Sequence, residues 1–121
     1  MPKKILVVDD EKDVVSVLLG RLKDHGYDAA SAGDGDQALK MVQEDKFDLI
    51  ILDIMMPVMG GTEFAGILQN DPETKNIPLI FLTALGTKKD DVGYTLSGSH
   101  FIFAKPFDFT ELLGKINELL S

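Results

Sequence analysis

Three short runs of the sequence, ILVV (residues 5–8), LIIL (49–52) and LIFL (79–82), are apolar without a polar break. A strand with one wet face alternates polar and apolar side chains, because successive residues point to opposite faces. Unbroken apolar strands instead belong to a parallel sheet covered on both sides. The segments between them are helical in pattern. EKDVVSVLLGRLKDHG (11–26) brings Val15, Leu18, Leu19 and Leu22 onto one face and stops at Gly26. QALKMVQEDK (37–46) turns Ala38, Leu39 and Val42 inward after a GDG turn, with Asp34 or Asp36 as its cap. TEFAGILQN (62–70) and DFTELLGKINELL (108–120) are two more helices, the last with Phe109, Leu112, Leu113, Ile116 and Leu120 on one side.

With YDAAS (27–31) and HFIFA (100–104) as further strands, and TKKDDVGYTLSG (87–98) as a weak helix, the chain alternates strand and helix five times. The connections are short enough that every crossover is right-handed. The expectation is one α/β domain over residues 1–121, a doubly wound, flavodoxin-like (βα)5 three-layer sandwich around a five-stranded parallel sheet.

In such sheets ligands bind beyond the carboxyl ends of the strands. The first strand ends in Asp9-Asp10, the third in Asp53, the fourth in Thr83, and the fifth leads into Lys105-Pro106. The second ends blandly. Three carboxylates, a hydroxyl and an ammonium are thus directed to one rim. Clustered carboxylates need protons or a cation between them. An all-oxygen donor set that leaves positions for water and phosphate suits Mg2+. Lysine is a point charge suited to a phosphate or to a carboxylate, and a threonine hydroxyl can donate to a phosphoryl oxygen. With a carboxylate nucleophile beside them, these groups describe phosphoryl capture on an aspartate. Taken singly, each has a plain structural explanation: Asp10 could cap the first helix and Thr83 could be a turn residue. Four strand ends carrying complementary groups on one rim outweigh those explanations.

Composition excludes several other chemistries. The chain has no cysteine, so neither disulfides nor thiolate sites are available. A net charge of −8 argues against direct nucleic-acid binding. The start MPKKILVVDDE is no signal peptide, and no segment approaches membrane-spanning length. The expected location is cytoplasmic. His25 and His100 have no second histidine or cysteine nearby and are read as surface residues. GDGDQA (33–38) matches a dinucleotide fingerprint on paper, but it follows the second strand and offers two aspartates to a pyrophosphate, so turn and cap fit better.

The motifs LVVDDE (6–11), LIILDIMMPVMGG (49–61), PLIFLTA (78–84) and KPF (105–107) closely resemble the receiver domain of two-component response regulators, over the whole chain. The resemblance implies a CheY-like fold in which Asp53 is the phosphoacceptor, served by a sensor histidine kinase or a histidine phosphotransfer domain. It implies Mg2+ held by Asp9, Asp10 and Asp53 with the backbone carbonyl of Met55, and phosphoryl contacts from Thr83 and Lys105. It also implies a cis Lys105–Pro106 bond. Phosphorylation would change the surface of the fourth helix, fifth strand and last helix. That surface would control a downstream effector or an output domain outside this sequence, with the protein a monomer or a phosphorylation-dependent dimer.

One position departs from the family. Ile102 stands where the resemblance implies an aromatic, with Phe101 and Phe103 on either side. Either switching proceeds without a ring, or a bulge brings a phenylalanine into its place. Met55 and Leu85, apolar where a polar group could position water, imply slow loss of the phosphoryl group. Val14 and Val17 lie off the core face of the first helix, either as boundary residues or as a docking patch. A phosphohydrolase with an aspartyl-phosphate intermediate would need a second acid at position 55 and a capping segment. A receiver that only binds partners would not need the full set of polar groups.

Overall fold

The computed structural model describes residues 2–54, 56, 59–83, 100–104 and 107–121. The strands are β1 (Lys4–Val8), β2 (Asp28–Ala32), β3 (Leu49–Asp53), β4 (Leu79–Thr83) and β5 (His100–Ala104). They form one parallel sheet in the order β2-β1-β3-β4-β5. The described helices are α1 (Lys12–Asp24), α2 (Gly35–Glu44), α3 (Gly61–Gln69) and a C-terminal helix (Phe109–Leu120). The helix expected over 87–98 lies outside the described residues.

The unbroken apolar strands divide between two cores, as a sheet with both faces covered requires. Leu6, Val8, Ile50, Leu52, Leu79 and Phe81 face one way and meet Ala38 of α2 and Phe64, Ala65 and Leu68 of α3. The alternate residues Ile5, Val7, Leu49, Ile51, Ile80 and Leu82 face the other way and meet Leu18 and Leu22 of α1 and Leu112 and Ile116 of the C-terminal helix. Each fully buried aliphatic or aromatic side chain here contributes about 1.5–3 kcal/mol of transfer free energy. The three-layer α/β sandwich is as expected.

Element ends moved by a residue or two for identifiable reasons. Strand β2 runs from Asp28 to Ala32, because Lys4–Val8 of β1 pairs with it in that register. Helix α2 begins at Gly35. Asp34 is its N-cap, with the side-chain oxygen accepting from the backbone N–H of Gln37 at 2.8 Å. The Gln37 side chain reaches back to accept from Gly33 N–H at 2.8 Å. GDGDQA is therefore turn and cap. The C-terminal helix is capped by Asp108, which accepts from Thr110 N–H at 2.8 Å and Glu111 N–H at 3.4 Å.

The β4–β5 ladder runs in register from Leu79 opposite His100 to Thr83 opposite Ala104. Ile102 packs, half-buried, on the α2–α3 side, while Phe101 and Phe103 lie on the α1 side. The bulge that would have put a phenylalanine in place of Ile102 does not form.

Candidate functional site

The strand order reverses between β1 and β3, and a doubly wound sheet opens its crevice at such a point. Val8 pairs with Leu52 there, so the next residue of each strand, Asp9 and Asp53, emerges at the carboxyl edge beside the other. Asp10 follows one residue later. Carboxylate oxygens of Asp9, Asp10 and Asp53 all lie within 4.8 Å of one another. Asp9 is 2% and Asp53 4% exposed, whereas Asp10 opens to solvent. Two carboxylates held this close and this dry are costly unless something cationic or donating offsets their charge.

The acid pair divides its labour. Asp9 Oδ1 accepts the backbone N–H of Glu11 at 2.9 Å, which fixes the turn out of β1. The N-cap of α1 is Glu11, with no side-chain cap bond, so capping does not account for Asp10. Asp10 is the solvent-facing carboxylate of the set. On the other side, Ile54 N–H donates to Leu82 O at 3.0 Å and carries the chain one residue past β3. Gly61, the first residue of α3, donates its N–H to Ile54 O at 3.0 Å. A side chain at Gly61 would stand 2.4 Å from the Asp53 carbonyl oxygen, so the backbone folds tightly against Asp53.

Among the other expected site residues, Thr83 ends β4, the strand beside β3, and its backbone reaches the same edge. Met55 and Lys105, and with them the Lys105–Pro106 bond, lie outside the described residues. His25 is exposed and its ring lies 5.8 Å from that of Phe109, in a packing role. Val14 packs against the core beside α1, while Val17 is 55% exposed. Gly61 borders the site through its contact with the Asp53 carbonyl. Nothing in residue type signals that one glycine of the Gly60-Gly61 pair abuts the Asp53 carbonyl.

The donor set fits magnesium. All three donors are hard carboxylate oxygens, and one of them, that of Asp10, is open to water. Ligands about 2.1 Å from a magnesium ion stand at most about 4.2 Å apart. Oxygens gathered within 4.8 Å of one another are therefore close enough to share one such ion, held directly or through a water.

Away from the acidic site, where β1 begins, an ion pair shifts the titration of both its members. Asp45 is held below its usual carboxylate range by a hydrogen bond from Lys4, and that bond raises Lys4 in turn. Both groups are exposed to solvent screening, so they bear on stability rather than on the acidic site.

The family model for the response regulator receiver domain matches residues 5–117. The alkaline phosphatase synthesis transcriptional regulatory protein PhoP of Bacillus subtilis is 38% identical over 120 residues, covering 99% of this chain and 49% of PhoP. This chain spans about half, or less, of the length of the curated relatives it matches. The structure of the Vibrio cholerae chemotaxis response regulator CheY4 superposes with a TM-score of 0.88 at 31% identity, covering 99% of this chain and 100% of that one. Response regulator TrrA of Thermotoga maritima, solved in complex with Mg2+-BeF, gives 0.83 at 36% identity over 98% of this chain and 99% of that one. No described helix is long and apolar enough to cross a membrane. An acidic crevice at the strand reversal, in this fold and with this family match, has one account: the chain belongs to the response regulator receiver domain family.

Proposed function

We propose that this receiver domain is a phosphorylation-dependent switch in which Asp53 takes a phosphoryl group from a phosphohistidine on a sensor kinase or phosphotransfer domain. A bond forms between an Asp53 carboxylate oxygen and phosphorus as the bond from phosphorus to the histidine nitrogen breaks. The observation that carries this reading is the gathering of Asp9, Asp10 and Asp53 within 4.8 Å at the β1–β3 reversal, with Asp53 buried and backed by its own strand. Asp9, Asp10 and Asp53, with the carbonyl of Met55, would hold Mg2+, which supplies positive charge against the phosphoryl oxygens. Asp9 keeps the turn after β1 in place through Glu11, so that Asp10 meets the crevice from the solvent side. Thr83 and Lys105 would contact the phosphoryl oxygens from the ends of β4 and β5.

The domain's chemistry is confined to gaining and losing its own phosphoryl group. Ile102 offers no ring to relocate, so the signal passes to the outer surface without an aromatic rotamer change. The exposed Val17 on α1, close in sequence to the acid pair, suits the apolar contact of a donor domain. Downstream, an effector protein or an output domain reads the state, in the cytoplasm, with the receiver as a monomer or as a dimer formed on phosphorylation. The test is transfer of labelled phosphate from a phosphorylated histidine-bearing domain, with and without Mg2+. Label should enter the wild type only with Mg2+ and should not enter Asp53→Asn. Label that persists in Asp53→Asn would refute the assignment.

A further inference from the structure

The second strand ends without a chemical group, yet its turn touches the segments that follow both β1 and β3. At one end, Asp9 donates its backbone N–H to Ala32 O at 3.1 Å, which ties the acid pair to the last residue of β2. Three residues later, a side chain on Gly35 would meet Met59 Cβ at 2.7 Å, Cγ at 2.9 Å and Sδ at 2.9 Å. Carbon atoms in contact sit about 3.5–4.0 Å apart, so Met59 occupies the space a side chain at position 35 would need. Because Cβ is among the blocked atoms, a change of Met59 rotamer would not free that space. Gly35 is buried, and its backbone is fixed by the Asp34 cap and the Gln37–Gly33 clasp. Met59 lies in the segment joining Asp53 to α3, whose far end is closed by the Gly61–Ile54 hydrogen bond.

We propose that the β2–α2 turn is a brace between the two halves of the acidic site, and that Gly35 is its positioning residue, acting through Met59. The turn fixes Asp9 from one side and seats the acceptor segment from the other. The spacing of Asp9 and Asp10 from Asp53 is therefore set partly by a strand that contributes no ligand. This proposal rests on the receiver reading of the same carboxylates.

The test is a double-mutant cycle on Mg2+ affinity, measured calorimetrically on the full chain without donor, with the thermal midpoint of each metal-free variant measured alongside. Gly35→Ala should weaken Mg2+ binding roughly tenfold, the low end of what losing a supporting contact around metal ligands costs. Met59→Ala removes the contact without introducing a clash and should weaken binding in the same direction. Because Gly35→Ala displaces the same Met59 side chain that Met59→Ala removes, and Met59→Ala keeps the Cβ that the new methyl at position 35 would meet, the double variant should be about as weak as Gly35→Ala alone. Met59→Ala also serves as the test should Gly35→Ala fail to fold. Folded variants that bind Mg2+ like wild type, whatever their thermal midpoint, would reduce Gly35 to a packing residue and overturn the brace. Losses that multiply in the double variant would overturn the route through Met59. A wild type that binds no Mg2+ would instead overturn the metal reading beneath both.

Discussion

Gly61 and Gly66 stand in the same helix, and the same substitution at each should move stability in opposite directions. At Gly61 the added methyl would stand 2.4 Å from Asp53 O, 2.9 Å from Ile54 Cα and 3.1 Å from Asp53 C. All three are backbone atoms of the strand end carrying the acceptor, so no side chain can swing away. Relaxing to an ordinary contact requires roughly 1 Å of separation between α3 and β3. Overpacking of that kind costs about 1–3 kcal/mol. Weakening the 3.0 Å bond from Gly61 N–H to Ile54 O adds about 1 kcal/mol. The gain in helix propensity offsets about 0.5–1 kcal/mol. The net loss is about 1–3.5 kcal/mol, or a fall in thermal midpoint of roughly 3–18 °C for a domain of this size. At Gly66 nothing lies within 4 Å of the new methyl, so only the propensity gain remains. Gly66→Ala should raise stability by about 0.5–1 kcal/mol. Thermal and urea unfolding followed by far-ultraviolet circular dichroism read both. Gly61→Ala as stable as wild type, or Gly66→Ala destabilised as much as Gly61→Ala, would refute the close approach of α3 to the acceptor strand.

Lys4→Gln removes the partner of Asp45, and its effect should follow pH in a defined way. The Asp45 carboxyl is lowered in the folded state, so its contribution is present above the unfolded value and is lost as pH falls through the folded one. Lys4 is raised, so its contribution is present below the unfolded value and is lost as pH rises through the folded one. The midpoint difference between wild type and variant should therefore be flat from roughly pH 5 to 9, close at both extremes and shrink with salt. A difference that persists at both pH extremes, or that does not shrink with salt, would contradict this. Val17→Asp should slow phosphoryl transfer from a histidine-bearing protein donor while leaving modification by a small acyl phosphate unchanged. Equal slowing with both donors would place Val17 in the site rather than on a docking face.

Much of the architecture was legible because parallel sheets enforce it. Buried strands such as LIIL can belong only to a covered sheet, and the polar residues that end them can face only the crevice. The pairing of Val8 with Leu52 turns that inference into adjacency of Asp9 and Asp53. The start of α2 was harder to read, because two aspartates compete for the cap and only the Asp34 geometry decides between them. The orientation of Ile102 was open until the unbroken β4–β5 register settled which side its neighbours take. The bracing role of Gly35 was not legible at all. A glycine between aspartates reads as turn chemistry, and the methionine that fills its missing side-chain volume is 24 positions further along. Close approaches between distant segments leave no local pattern in composition or period.

Capture of a phosphoryl group by Asp53 is tested most directly by intact mass after incubation with a small acyl-phosphate donor and Mg2+, beside Asp53→Asn and a chelator control. The expected result is a single phosphoryl adduct on the wild type that requires Mg2+ and is missing from the variant. An adduct of equal yield on Asp53→Asn, or no adduct on a wild type shown to bind Mg2+, would contradict the account.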